Sequence, residues 1–206
     1  MKTNISMDDF LILINENIDP SEIEYIVEVG CLNAADSMFF KEKFPAANVY
    51  AIEGLPDNYE KYLKKNTLIN TYNTVICDYV GEIEYFVKSI NGIHGIYDRG
   101  KRYGTKKITS PCTTLDKFCE ENNIPRIDIL KIDVEGATLN VLRGMVNILP
   151  KVKIMHLETE KGELFEGQAL HDEIEKYLTE RTFKMISLSQ YEPEPNKPQC
   201  DSVWIK

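Results

Sequence analysis

Five short apolar runs, alternating with stretches of helical periodicity, constrain this chain more than any other feature. The runs are 24-EYIVEV-29, 48-NVYAIE-53, 72-YNTVIC-77, 127-IDILKID-133 and 153-KIMHLE-158. They are rich in β-branched residues and apolar on both faces, so they read as strands of a sheet covered on both sides. Met7, Phe10, Leu11 and Ile14 form one helical face, ending before Pro20. Residues 34–44 form a second helix, with Asn33 as its cap and Asp36 three places on. Residues 56–66 open on Pro56, which suits a first helical turn. Leu139, Leu142, Met145, Val146 and Leu149 make a stripe before Pro150, and Leu170, Ile174, Tyr177 and Leu178 make another. The tail, 183–190 and 200–206, reads as an antiparallel pair around a Pro-rich turn from Pro193 to Pro198.

This succession predicts an α/β fold. The sheet is Rossmann-like, doubly wound and mostly parallel, with a C-terminal antiparallel pair, in three αβα layers. At 206 residues, one domain over 1–206 is expected. No run of about 18 uncharged apolar residues is present, so no membrane span is expected. The opening MKTNISMDDF carries aspartates where an export signal needs an apolar stretch. The five cysteines are irregularly spaced without a C-x-x-C pair, which argues against a zinc site or disulfide framework and for a reducing cytoplasmic setting. A net charge of −9 argues against a broad nucleic-acid surface.

Ligands of doubly wound sheets bind beyond the carboxyl ends of the strands, so candidates are sought there. In 28-EVGCLNAADS-37, Gly30 stands at the first strand-to-helix turn. A dinucleotide site has a second glycine where Leu32 stands, so a pyrophosphate cofactor such as a nicotinamide dinucleotide is disfavoured and a nucleoside without phosphates is compatible. A glycine needed only for the turn is the plain alternative. Glu53, with Gly54 beside it, ends the second strand, where a carboxylate accepts from both ribose hydroxyls or is simply solvated. Cys77 and Asp78 end the third strand, where the carboxylate accepts from an adenine amine or belongs to a turn before Gly81.

The most specific segment is 131-KIDVEGATLNVLRGM-145. It closely resembles the K-x-D-x-E-G-A-E-x-x-V-L-x-G motif of the FkbM family of S-adenosylmethionine-dependent methyltransferases. In order along the chain, 28–37 resembles that family's D-x-G-A-x-x-G-x-x-S motif and 51-AIEGLPDNYEKY-62 its A-x-E-P-x-P-x-x-Y segment. Cys77-Asp78 with Gly81 looks like A-x-S-D-x-x-G, and Thr114-Leu115-Asp116 like T-L-D. Departures are Glu28 for the usual Asp, Ala34 for a common Gly, Gly54 for a common Pro and Thr138 for an acid. The resemblance implies a class I methyltransferase fold, S-adenosyl-L-methionine as cofactor, and methyl transfer to oxygen on a sugar or other small polar metabolite. It also implies site roles. Glu28, Gly30, Cys31 and Ala34 shape the turn around the methionine moiety, and Ser37 contacts its carboxylate. Glu53 and Gly54 meet the ribose, Cys77 and Asp78 the adenine, and Asp133 lies near the methyl group.

A hydroxyl acceptor has a high pKa, so a base or a metal must help remove its proton. Asp133, Glu135, His156 and Glu158 are the candidates at the fourth and fifth strand ends. Asp133 and Glu158 would lie on adjacent strands, placed to hold Mg²⁺. His156 shares a strand face with Glu158 and suits a base near neutral pH. The blander readings are a Lys131–Asp133 structural pair, Glu135 as a helix cap and His156 as a core residue. Residues 82–87 alternate like an extra strand, and a Gly-rich loop follows at about 88–110. It carries Lys88, Arg99, Lys101, Arg102, Lys106 and Lys107 against Asp98. This loop reads as a lid whose His94, Arg99, Lys101 and Arg102, with Lys131, meet a small anionic acceptor such as a phosphorylated or nucleotide-linked sugar. An amine acceptor, or a non-catalytic domain that keeps the fold, is the alternative.

Overall fold

The structure is a computed structural model that describes residues 4–100, 104–189 and 198–206. The parallel strands are β1 (Tyr25–Val29), β2 (Asn48–Glu53), β3 (Asn70–Asn73), β7 (Ile127–Ile132) and β8 (Val152–Glu160). Antiparallel β9 (Lys184–Leu188) and β10 (Gln199–Ile205) complete a seven-stranded sheet of order β3-β2-β1-β7-β8-β10-β9. The expected fold and C-terminal pair are both present. The turn between β9 and β10 lies mostly outside the described residues.

Apolar side chains cover both sheet faces, as two-sided apolar strands require. On one side Phe10 and Ile14 of α1 (Met7–Asn17) and Phe40 of α2 (Ala35–Lys43) pack on Ile26, Ile129 and Ile154. On the other, α4 (Leu115–Glu121), α5 (Thr138–Arg143) and α6 (His171–Thr179) cover Val27, Leu130 and Met155. The chain between β2 and β3 forms one short turn, α3 (Pro56–Asn58), running into a π-helical turn, Tyr59–Leu63.

Several local expectations need correction. The run 72–77 is divided: β3 ends at Asn73, and β4 (Val75–Ile76) joins a second sheet of order β4-β6-β5. β4 pairs with β6 (Lys106–Thr113), which pairs in turn with β5 (Gly81–Val87), the expected extra strand. The loop therefore ends at 105 rather than 110. The stripe from Leu139 to Leu149 is not one helix. An ideal Cβ on Gly144 would stand 2.2 Å from the Cys77 carbonyl oxygen, and the chain turns away there. Asp116 receives the freed N–H groups of Asn147 and Ile148 at 2.8 Å each, leaving Val146 72% exposed. Asn33 does not occupy the cap position. Left-handed Ala34 does, while Asn33 accepts from the Ala35 N–H at 3.1 Å.

Asp128 fixes the opposite, amino-terminal edge of the sheet. It is wholly buried and accepts from the Glu24 and Tyr25 N–H groups at 2.9 and 3.0 Å, with Arg126 and Lys153 each at 3.0 Å. Burial alone would raise its carboxyl, but these donors outweigh it and hold the pKa below 3.8. Asp128→Asn is expected to cost about 2 kcal/mol near neutral pH, measured by denaturant unfolding. A depressed folded pKa stabilises fully above the unfolded value and loses that contribution as pH falls through the folded one. The gap between wild type and variant should therefore close as pH falls below about 4.

Candidate active site

The strand order reverses direction between β1 and β7, and there a cavity of about 710 Å³, counting its open mouth, lies beyond the strand ends. Gly30 leaves β1 with φ +83°, its N–H donating to the Ile52 carbonyl on β2 at 2.9 Å. A Cβ on this residue would stand 1.8 Å from the Asp133 carbonyl oxygen, so only glycine lets the exits of β1 and β7 pass this closely. Leu32 and Ala34 are also left-handed, with φ 50° and 59°. Ala34 thus adopts the conformation that suits the glycine common at this position in the resembling motif.

Glu53 ends β2 on the cavity wall. One carboxylate oxygen accepts from the Leu32 N–H and the other from the Leu55 N–H, each at 2.8 Å. Burial pushes its carboxyl upward against these two donors and the Asn58 side chain. Gly30, Gly54, His94, Asp133 and Glu135 line the same cavity. The sequence did not single out Leu32, Asn58, Ile76, Tyr85 or Ile96 as lining residues. Leu32 and Asn58 fall inside motif segments. Tyr85 arrives from the second sheet, and no local pattern announces it.

Other expected ligand contacts fall elsewhere. Cys31, Ala34 and Cys77 are buried in the core, and Asp78 is exposed at the turn after β4. Ser37 is fully buried and donates its hydroxyl to buried Glu28. Burial pushes Glu28 up to about 7, opposed by the Lys131 ammonium. Lys131 reaches Asp36 at 3.1 Å, Asp133 at 3.2 Å and Glu28 at 3.7 Å. Although burial opposes its charge, these acids raise its pKa, so it organises the strand ends instead of facing the cavity. His156 is 5% exposed, lies 5.0 Å from the Phe10 ring, and has no hydrogen-bond partner on either nitrogen among the described residues. Burial and the Lys131 charge drive its pKa down to about 3, making it a neutral core histidine and a poor base.

Asp133, Glu135 and Glu158 do converge, with one carboxylate oxygen from each lying within 4.8 Å of the others. The backbone of Glu135 is left-handed at φ 50°, an uncommon conformation that aims its side chain at the cavity. Burial and the Asp133 charge raise Glu135 to about 8, while Arg99 pulls the other way from 3.2 Å. Burial and Asp133 also raise Glu158. Thr138 is buried and donates to the Glu158 carbonyl at 2.7 Å, tying the start of α5 to β8.

The loop after β5 docks against this edge. Gly95 bridges to Phe86 and lies against the Glu135 backbone, Tyr97 donates to Asn140 at 3.0 Å, and Arg99 lies 5.3 Å from the Phe165 ring. Its cations do not gather at the cavity. The ammonium of Lys88 is buried and held by Asp98 at 2.5 Å, and Lys107 pairs with Glu84 at 2.8 Å. Lys101 and Arg102 lie outside the described residues. His94 lines the cavity, accepting from the Lys88 N–H at 3.0 Å, and does not stand apart over an acceptor site.

The model of the methyltransferase FkbM domain matches residues 28–185, from the end of β1 to β9. The chain belongs to the FkbM methyltransferase family. Among curated relatives, the hexuronic acid methyltransferase AglP of Haloferax volcanii is 29% identical over 124 residues, covering 56% of this chain and 48% of that protein. The 2-O-methyltransferase NoeI of Sinorhizobium fredii is 24% identical over 162 residues, covering 69% and 66%. The matches thus span about half to two thirds of these relatives' lengths. Among solved structures, the METTL16 MTase domain superposes with TM-score 0.56 at 8% identity, covering all of this chain and 70% of that one. The magnesium protoporphyrin IX methyltransferase (ChlM) of Synechocystis PCC 6803, solved with bound SAM, gives 0.52 at 9% identity, covering 97% and 77%. Both likenesses establish the class I methyltransferase fold for this FkbM family member. Among the described residues, no helix is long and apolar enough to cross a membrane.

Proposed function

We propose that this protein is an S-adenosyl-L-methionine-dependent O-methyltransferase acting on a hydroxyl of a sugar or similar small polar metabolite. One arrangement carries the reading: Glu53 stands on one wall of the cavity while Asp133 and Glu135 stand on another, with Gly30 between them. The residues fit the cofactor. Glu53 retains lone pairs for the two ribose hydroxyls, and Ile76, Tyr85 and Ile96 offer apolar surface to a purine. Gly30 lines the cavity and offers its backbone to the methionine part, and Leu32 in place of a second glycine suits a cofactor without pyrophosphate.

When bound, the cofactor supplies an electrophilic methyl group for in-line displacement. The chain's own part is alignment and charge. Asp133, at the exit of β7, stands nearest the Gly30 turn, and the carboxylates beside it accept hydrogen bonds from an incoming hydroxyl and draw off its proton.

A hydroxyl-rich acceptor suits this acidic mouth, because Lys88 and Arg99 of the loop and Lys107 of β6 are already paired with acids. The names of the two curated relatives, a hexuronic acid methyltransferase and a 2-O-methyltransferase, support a sugar acceptor. The five free, buried thiols suit a reducing cytoplasm. The test incubates the protein with methyl-labelled cofactor and a panel of hexose and hexuronic acid glycosides, read by mass spectrometry. One methyl gained on oxygen is expected. Methylation confined to an amine, or cofactor binding without transfer to any glycoside, would overturn the reading.

A further inference from the structure

We propose that Asp133, Glu135 and Glu158 bind one hard divalent cation, magnesium or manganese, at the mouth of the cavity. Its purpose, holding and acidifying the acceptor hydroxyl, rests on the function proposed above. The site itself does not.

The three residues come from the end of β7, the turn after it, and β8, and each contributes an oxygen within 4.8 Å of the other two. Around an octahedral ion with bonds of about 2.1 Å, neighbouring ligands lie about 3.0 Å apart and at most one pair of the three stands opposite at about 4.2 Å, so the side chains close on the ion by rotating inward. A second observation comes from outside the triangle. Glu160, two residues beyond Glu158 on the same face of β8, is 1% exposed. The Glu160 carboxylate accepts from Gln168 at 2.9 Å and feels the Gly136 N–H, but among the described residues its second oxygen, like one oxygen of Glu158, is buried without a full hydrogen bond.

Buried carboxylate oxygens are normally matched by donors or cations. Here four acids share Arg99, which reaches Glu135, and Lys131, which is already divided among Asp133, Glu28 and Asp36. An all-oxygen carboxylate set selects magnesium or manganese over zinc, which prefers nitrogen and sulfur. Three protein ligands leave octahedral positions for acceptor oxygens or water. The competing occupant is a proton shared between Asp133 and Glu158, and it makes the opposite prediction for metal binding.

The test titrates the purified protein with Mn²⁺ by electron paramagnetic resonance, without cofactor, and then adds Mg²⁺ as competitor. One Mn²⁺ per chain with a Kd below about 1 mM is expected, displaced by Mg²⁺. Glu158→Gln should weaken binding at least tenfold while melting as a folded protein. Glu135→Gln serves the same purpose should the first variant fail to fold. No bound Mn²⁺ at about 1 mM, or equal affinity in a folded variant, would overturn the proposal. Glycoside methylation that persists in a chelator, with no Mn²⁺ bound, also overturns it and leaves the methyltransferase reading standing. Mn²⁺ binding lost in the variants, with no glycoside methylated, supports the cation site and removes that reading.

Discussion

Gly30→Ala is expected to abolish cofactor binding and to destabilise the fold by about 3–5 kcal/mol. Two penalties combine at this residue. The left-handed φ of +83° disfavours any side chain, and the added methyl would meet the Asp133 carbonyl oxygen at 1.8 Å. That oxygen belongs to backbone and cannot rotate away, so the exits of β1 and β7 must separate. The Asp133 N–H donates to the Val29 carbonyl at 2.9 Å, and this bond is the first lost. Both walls of the cavity move with it. Calorimetry with S-adenosylhomocysteine and a thermal melt check the prediction. A variant with unchanged affinity would show that β1 and β7 do not need this close approach.

Glu53→Ala is expected to raise the cofactor Kd about 100-fold, near 2.7 kcal/mol, with a smaller effect on kcat than on KM. Hydrogen bonds from the ribose to a charged acceptor account for part of the loss. The remainder comes from the protein itself. The Leu32 and Leu55 N–H groups, each bonded to Glu53 at 2.8 Å, lose their acceptor together, and the turns carrying them line or flank the cavity. Glu53→Gln keeps one carbonyl acceptor and should lose about tenfold. The ribose contact is the same in ground and transition states, so the deficit appears in binding. Equal affinity for S-adenosylhomocysteine in all three proteins would remove Glu53 from the cofactor site.

Much of this architecture was legible because burial on a sheet writes itself into local sequence. Four of the five apolar runs appear as strands of the main sheet close to their expected positions, and the tail forms its antiparallel pair. The division of 72–77 between two sheets was not legible, because β6 claims Val75 and Ile76 from 37 residues away in the chain. The helical stripe through Val146 misled for a related reason. A 3.6-residue period records apolar spacing, but Gly144 is committed to the Cys77 carbonyl and breaks the helix.

At the site, Gly30, Glu53, Asp133 and Glu135 were identifiable from their places after strands, and all line the cavity. Ser37, Lys131 and His156 sit on neighbouring positions of the same motifs and strands, yet they face the interior. Type and spacing do not separate the two sets. Whether a polar side chain faces the cavity or the core depends on the rotation of its element against the rest of the fold. Lys131 illustrates this, since acids from β1, α2 and the exit of β7 draw it away from the cavity.

The sequence by itself determined the fold class, the edge of the sheet where ligands bind, and the motif set of the family. These follow from short-range periodicity and from residues one turn away from a strand. Only the tertiary structure decided which carboxylates meet. Asp133, Glu135 and Glu158 come together because β7 and β8 pair in a register that sets Lys131 beside His156, which brings Asp133 level with Glu158. That register is fixed by packing on both faces of the sheet, and it turns separated acids into one site.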